Sequence, residues 1–231
     1  LNRAFAIVAC SQALARSAAT VDNVSVEVIP NAVDGDFFQP STRIHRSVGD
    51  ALNLLFVGRL QWQKDVPGLI QHLGEVRKAG ISFRLTVVGD GPELADSKRE
   101  AAGSDLTDVI SWIGWLDRKY LIKTYQEADY IINYSRYEGM PNTVLEAMAC
   151  GVPAIVSNID AHQELIEDQV TGFLISRDSW HSLFHVLERL QNRTDVKREI
   201  GVATREYVVN HHALDRIARS YDDLCQRSLS S

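Results

Sequence analysis

Short apolar runs rich in β-branched residues, each followed by a stretch with helical spacing, leave a chain few ways to bury itself. The runs fall at Phe5 to Ala9, Val24 to Ile29, Leu52 to Val57, Phe83 to Val88, Val109 to Ile113, Tyr130 to Tyr134, Ala154 to Ser157 and Gly172 to Ile175. Between them lie helical patterns such as Val66 to Ala79, where Leu69, Ile70, Leu73 and Val76 share one face and Gly80 supplies a stop. Apolar strands separated by single helices predict an α/β fold with a parallel sheet covered on both faces. Residues 30–50, with Pro40, Gly49 and several polar side chains, predict a long loop or linker, and after Ser179 the pattern is helical to the end. There is no internal repeat and no low-complexity tract.

The segment Tyr137-Glu138-Gly139-Met140-Pro141-Asn142-Thr143-Val144-Leu145-Glu146 sets two carboxylates on either side of an expected helix start. A helix N-terminus leaves its first backbone N–H groups unpaired and carries about half a positive charge, which suits a phosphate. Glu146 lies about one turn inside, in an apolar run with no Lys or Arg at helical spacing, so its partner must come from elsewhere. By themselves these residues are also compatible with a solvated helix glutamate and a turn glutamate.

A second constellation is Phe56-Val57-Gly58-Arg59-Leu60-Gln61-Trp62-Gln63-Lys64. A glycine directly after a buried strand permits close approach of a ligand at the carboxyl end of the sheet, where open α/β sheets bind substrates. Arg59 and Lys64 are expected to converge there, and a guanidinium plus an ammonium can neutralise a diphosphate without a metal. The alternative for this pair alone is two exposed basic residues on a loop.

The acidic segment resembles the signature of retaining glycosyltransferases of family four, the group 1 transferases with two Rossmann-like domains (GT-B architecture), in which two glutamates are separated by seven residues. By that resemblance Glu138 faces the donor sugar, Glu146 holds the ribose, and Arg59 and Lys64 neutralise the leaving diphosphate. Gly58, Gly139, Met140, Pro141, Asn142, Thr143 and Val144 join the substrate-binding set, with the N–H groups around Asn142 to Val144 on the diphosphate. Where the family often has Glu-Gly-Phe-Gly, this chain has Glu138-Gly139-Met140-Pro141, which leaves sugar specificity open.

The resemblance extends along most of the chain. Val28-Ile29-Pro30-Asn31-Ala32-Val33-Asp34 is similar to the family's hinge, with Ala32 in place of glycine, so either this turn is not left-handed or it is strained. The implied organisation is a remnant of the acceptor domain at residues 1–23, a Rossmann-like donor-binding domain at 24–178 as the C-terminal half of the GT-B fold, and a helical tail at 179–231. Since the first residue is Leu1, the chain is expected to be a fragment that transfers nothing by itself.

Weaker signals also follow strands. Val88-Gly89-Asp90-Gly91-Pro92 looks like half of a dinucleotide fingerprint, but Leu94 occupies the third glycine position. Ile113-Gly114-Trp115-Leu116 stands where similar proteins meet the nucleobase, so Trp115 and Leu116 are base-binding candidates, with packing the better expectation for Trp115. In Ser157-Asn158-Ile159-Asp160-Ala161-His162-Gln163-Glu164, Asp160 and Ala161 depart from a Gly-Gly pair, Glu164 is expected to be a structural acid, and His162 a polar residue at a helix start. His211-His212 lacks a third ligand in sequence, so no metal is expected.

Composition bounds the partners. A net charge of -6 disfavours nucleic acid. No apolar run approaches the roughly 20 residues of a membrane span, and Cys10, Cys150 and Cys225 read as free thiols in a reducing compartment. The expected protein is cytoplasmic, with a peripheral place at the inner membrane face compatible with a longer form. It needs no cofactor, takes a nucleoside-diphosphate sugar as donor with a UDP-sugar first, and transfers to a sugar or lipid-linked acceptor held by the missing domain, in cell-surface polysaccharide or glycoconjugate synthesis. The rivals are a sugar-nucleotide epimerase or glycogen phosphorylase relative of the same fold, and a non-catalytic nucleotide-binding or scaffold module.

Overall fold

The computed structural model describes residues 5–22, 25–41, 47 and 49–230. Val24 of the second expected strand, and residues 42–46 and 48 of the expected loop, lie outside these. Six parallel strands form the main sheet: β3 (Leu52–Val57), β4 (Phe83–Val88), β5 (Ile110–Gly114), β6 (Tyr130–Asn133), β7 (Ala154–Ser157) and β8 (Gly172–Ile175), in the order β5-β4-β3-β6-β7-β8. The chain starts in the middle at β3, winds outward to β5, then returns to β6 beside β3. The order therefore reverses between β3 and β6, where doubly wound sheets open a crevice at their carboxyl edge.

The connections are α2 (Val66–Lys78), α3 (Leu94–Gly103), α4 (Arg118–Glu127), α5 (Asn142–Ala149) and the single turn α6 (Asp160–Gln163). Period-two alternation divides the strands between two cores. Leu52, Leu54 and Phe56 of β3, with Tyr130 and Ile132 of β6, pack beneath Leu69, Ile70 and Leu73 of α2. Leu55, Val57 and Ile131 face the other way, against Val144, Leu145 and Met148 of α5. The α2 helix stops where expected: Gly80 at φ +96° sends its N–H to Arg77 O, and Ile81 N–H returns to Val76 O.

The remaining strands depart from the expected layout. β2 (Val26–Val28), expected within the Rossmann-like segment, pairs instead with β1 (Ile7–Ala9) in a separate parallel two-stranded sheet, Ile7 opposite Val26 and Ala9 opposite Val28. Between them runs α1 (Gln12–Asp22). Its first N–H groups, from Gln12 and Ala13, donate to Glu164 Oε2 and Oε1 at 2.7 and 2.6 Å, so Glu164 caps a helix more than a hundred residues away. Glu164→Ala should remove about 1 kcal/mol of stability, the usual worth of a helix cap, as read from urea unfolding. Ala32 is absent from the non-glycine residues at positive φ, so the hinge turn is not left-handed and its missing glycine costs no strain.

Of the tail helices α7 (Trp180–Gln191), α8 (Thr194–His211) and α9 (Leu214–Leu229), α7 packs back on α2 and β8 and α8 on α5. Leu183, Leu187 and Leu190 enter one core and Val208 the other. Arg205 donates to the carbonyls of Phe38 and Ala149, and Arg227 meets Glu27 of β2 at 2.7 Å. Among the described residues, no helix is long and apolar enough to cross a membrane.

Candidate functional site

At the carboxyl end of β3 the chain turns through Gly58 to Lys64, and two close backbone contacts fix that turn. Gly58 N–H donates to Val88 O and Leu60 N–H to Asp90 O, at 3.0 and 2.9 Å. Gly89, at φ +132°, lies so near that a Cβ on it would stand 1.9 Å from Gly58 O. The Gly89-Asp90-Gly91 turn is therefore a backbone seat for the neighbouring loop.

Lys64 reaches from the end of this turn to Glu138, in the loop between β6 and α5. Their ammonium and carboxylate form an ion pair whose side chains are only 13% and 7% exposed. The Glu138 carboxylate also accepts from Ser135 Oγ at 2.6 Å, from Asn133 Nδ2 at 3.3 Å and, on its other oxygen, from Gln63 Nε2 at 3.3 Å. A nearly desolvated carboxylate needs this many donors, because each uncompensated buried charge is costly. Gln63 also donates to Tyr137 O at 2.9 Å, which ties the two loops across the crevice.

Arg59 does not join them. It is exposed and makes no hydrogen bond or ion pair among the described residues, so the expected convergence is met by Lys64 alone.

The α5 N-terminus opens beside Glu138. Val144 N–H donates to Pro141 O at 3.0 Å, so it is not among the free donors as expected; the tight first turn consumes it. Asn142 and Thr143 keep theirs uncommitted among the described residues. Asn31 holds this start from the hinge, with its Nδ2 donating to Met140 O at 3.1 Å and Asn142 Oδ1 at 2.7 Å. A Cβ on Gly139 would stand 2.8 Å from Leu14 Cδ1, so that exposed side chain would have to shift.

Glu146 finds its partner outside its own helix. The Tyr125 hydroxyl donates to its Oε2 at 2.8 Å. Burial pushes the Glu146 carboxyl above the usual carboxylate range, while the Tyr125 hydrogen bond and the Arg118 charge pull it back. Its Oε1 accepts no hydrogen bond among the described residues.

Trp115, expected to pack, is 82% exposed at the end of β5. Its neighbour Leu116 packs instead against the core on the α5 side. Trp62 and Tyr137, both exposed, stand on the rim near Lys64 and Glu138 with ring centroids 6.1 Å apart.

Gln63, Ser135 and Tyr125 carry no sequence signal for a place in the site, and Asn31 is marked only through the hinge segment. The His162 ring is fully buried, with Nδ1 2.7 Å from Ser157 O. Burial holds it down at about 4. His212 is likewise buried and bonded to Asn31 O at 3.0 Å.

The chain's one Asp-x-Asp, Asp34-Gly35-Asp36, is committed to a turn, with Asp34 accepting from Phe37 N–H at 2.9 Å and pairing with Arg118 at 3.2 Å. Among the described residues no group of three His, Cys, Asp or Glu is placed to hold a metal ion.

The family model described as glycosyl transferases group 1 matches residues 38–207, well over half of the chain. The UDP-Gal:alpha-D-GlcNAc-diphosphoundecaprenol alpha-1,3-galactosyltransferase of Escherichia coli is 30% identical over 184 residues, covering 74% of this chain and 46% of its own length. The amylovoran biosynthesis glycosyltransferase AmsK of Erwinia amylovora is 29% identical, covering 67% of this chain and 40% of its own. The chain thus spans about half the length of the curated relatives it matches. Among solved structures, Anabaena Alr3699/HepE in complex with UDP-glucose superposes with a TM-score of 0.87 at 19% identity, over 98% of this chain and 65% of that one. Sucrose-phosphate synthase from Thermosynechococcus elongatus gives 0.85 at 22% identity, over 100% and 60%. These two share the fold.

Proposed function

The chain belongs to the group 1 glycosyl transferases, and from that membership we propose that it is the donor-binding half of a retaining enzyme that moves a sugar from a nucleoside diphosphate to an acceptor. The observation that carries this is the Lys64–Glu138 pair, shielded from water at the crevice where the strand order reverses. An ammonium has three donors, so Lys64 can keep Glu138 and still meet a diphosphate oxygen. With the Asn142 and Thr143 N–H groups and the exposed Arg59, it stabilises the charge that develops on the leaving diphosphate. Glu138, held by donors on both oxygens, orients the sugar and favours positive charge at the anomeric centre. Glu146 binds the ribose, and the exposed Trp115 with Leu116 borders the base. Acceptor binding and the exclusion of water fall to a second domain closing over this edge. UDP-sugar is the first donor to try: one structural neighbour was solved with UDP-glucose. A role in polysaccharide or glycoconjugate assembly fits the names of the relatives.

Calorimetry of the chain against UDP, GDP and the other common nucleoside diphosphates tests the proposal. Binding is expected, and it should survive chelator, because Lys64 and Arg59 supply the cationic charge. No binding by any of them at millimolar concentration would sink the donor reading, and a strict need for magnesium or manganese would sink the metal-free leaving-group model.

A further inference from the structure

His162 is fully buried, yet its Nε2 has no hydrogen-bond partner among the described residues. The other ring nitrogen explains which chemistry is left over. Nδ1 lies 2.7 Å from the Ser157 carbonyl, and a carbonyl only accepts, so Nδ1 carries the proton. In the neutral ring Nε2 is then a bare lone pair. Ser157, the ring's partner, is itself tied to the site: its Oγ donates to Ser135 O at 2.6 Å, and Ser135 Oγ donates to Glu138 Oε1 at 2.6 Å. The ring is also close enough to feel the charges of both Glu138 and Lys64. An orphaned acceptor costs stability wherever it is buried, and a donor that arrives with a ligand would relieve that cost.

Phosphate oxygens are acceptors and would be repelled by the lone pair, so of a nucleotide sugar only a donor fits, a hydroxyl or an N–H. In the function proposed above the ribose goes to Glu146 and the base to Trp115 and Leu116, which leaves the transferred sugar. We propose that His162 is a donor-sugar residue whose Nε2 accepts a hydrogen bond from a hydroxyl of the transferred sugar once the diphosphate draws Lys64 toward itself. This rests on the donor-binding function proposed above.

Two substitutions separate contact from scaffolding. His162→Gln places an amide at the reach of Nε2 and keeps an acceptor there. His162→Asn places its amide at the reach of Nδ1, which preserves the bond to Ser157 but leaves nothing at Nε2. Calorimetry with UDP and UDP-glucose, and with GDP and GDP-mannose in parallel, is run on the wild type and both variants. His162→Asn should bind the diphosphate within twofold of wild type and the nucleotide sugar about tenfold more weakly, the worth of one hydrogen bond. His162→Gln should recover most of that loss. A structural role predicts the reverse order, with Asn tolerated and Gln not. That result, a wild-type nucleotide-sugar affinity in the Asn variant, or an equal loss for both ligands in both variants overturns the inference alone. A wild type that binds neither ligand removes the donor function, and the inference with it.

Discussion

Glu138→Gln should lower turnover of the complete two-domain enzyme by a factor on the order of a hundred or more, as when a contact made in the transition state is removed, without lowering UDP affinity. The amide still offers Lys64 an oxygen, so the fold is kept, but the negative charge that favours an oxocarbenium-like sugar is gone. Losing that charge also loosens Lys64, whose ammonium is freer to serve the diphosphate. UDP binding is therefore expected to stay level or tighten. Glu146→Gln should behave differently. It should weaken UDP and UDP-sugar alike, by about 1.5 to 3 kcal/mol, the cost of a lost hydrogen bond to a charged group. Kinetics of the complete enzyme and calorimetry of this chain supply the two readouts. If Glu138→Gln weakens UDP and Glu146→Gln does not, the two roles are reversed. If neither matters to binding or turnover, the scaffold alternative takes their place.

What could be read from the residues alone divides along a physical line. Leu52–Val57, Phe83–Val88, Ala154–Ser157 and Gly172–Ile175 have the expected bounds, because they are mostly apolar runs, interrupted at Asn53, Arg84 and Thr86, and bracketed by turn residues. β2 is only Val26–Val28. Its composition shows that it is a strand but not which sheet it joins, and its partner β1 lies across an intervening helix. The same holds at the site. Glu138, Asn142 and Glu146 are neighbours in sequence, so their spacing around a helix start was visible. Tyr125, Gln63 and Asn31 arrive from other βα units and the hinge, and no local pattern marks a tyrosine whose hydroxyl will meet a glutamate 21 residues on. Trp115 failed for another reason: an aromatic after a strand is usually packed, and only the exposed end of edge strand β5 makes this one an exception. Arg59 and Lys64 looked equivalent by charge, but the turn seated on Gly89 sends one inward and the other to solvent.

Acid should destabilise the chain through His162 by roughly 3 kcal/mol between pH 7 and pH 4, the worth of moving an imidazole from about 6.5 to about 4. Burial is the main cause. The Ser157 carbonyl and Glu138 favour the charged ring, and Lys64 opposes it. Since the folded value lies below the unfolded one, the unfolded chain takes up the proton first. Stability is therefore whole above about 6.5, declines as pH falls, and this contribution is fully lost by about 4. Other groups titrate in the same window. His72 and His212 are also lowered by burial and add to the loss, whereas Glu93 and Glu146 are raised and oppose it. A difference measurement isolates His162: urea unfolding of wild type and His162→Asn at several pH values from 7 to 4. The variant cannot titrate at this position, so its stability should fall less steeply, and the gap between the proteins should change by roughly 3 kcal/mol in the variant's favour. Parallel curves would mean that the ring is not held neutral in the folded chain. The Nε2 lone pair, and the sugar contact argued from it, would then be lost as well.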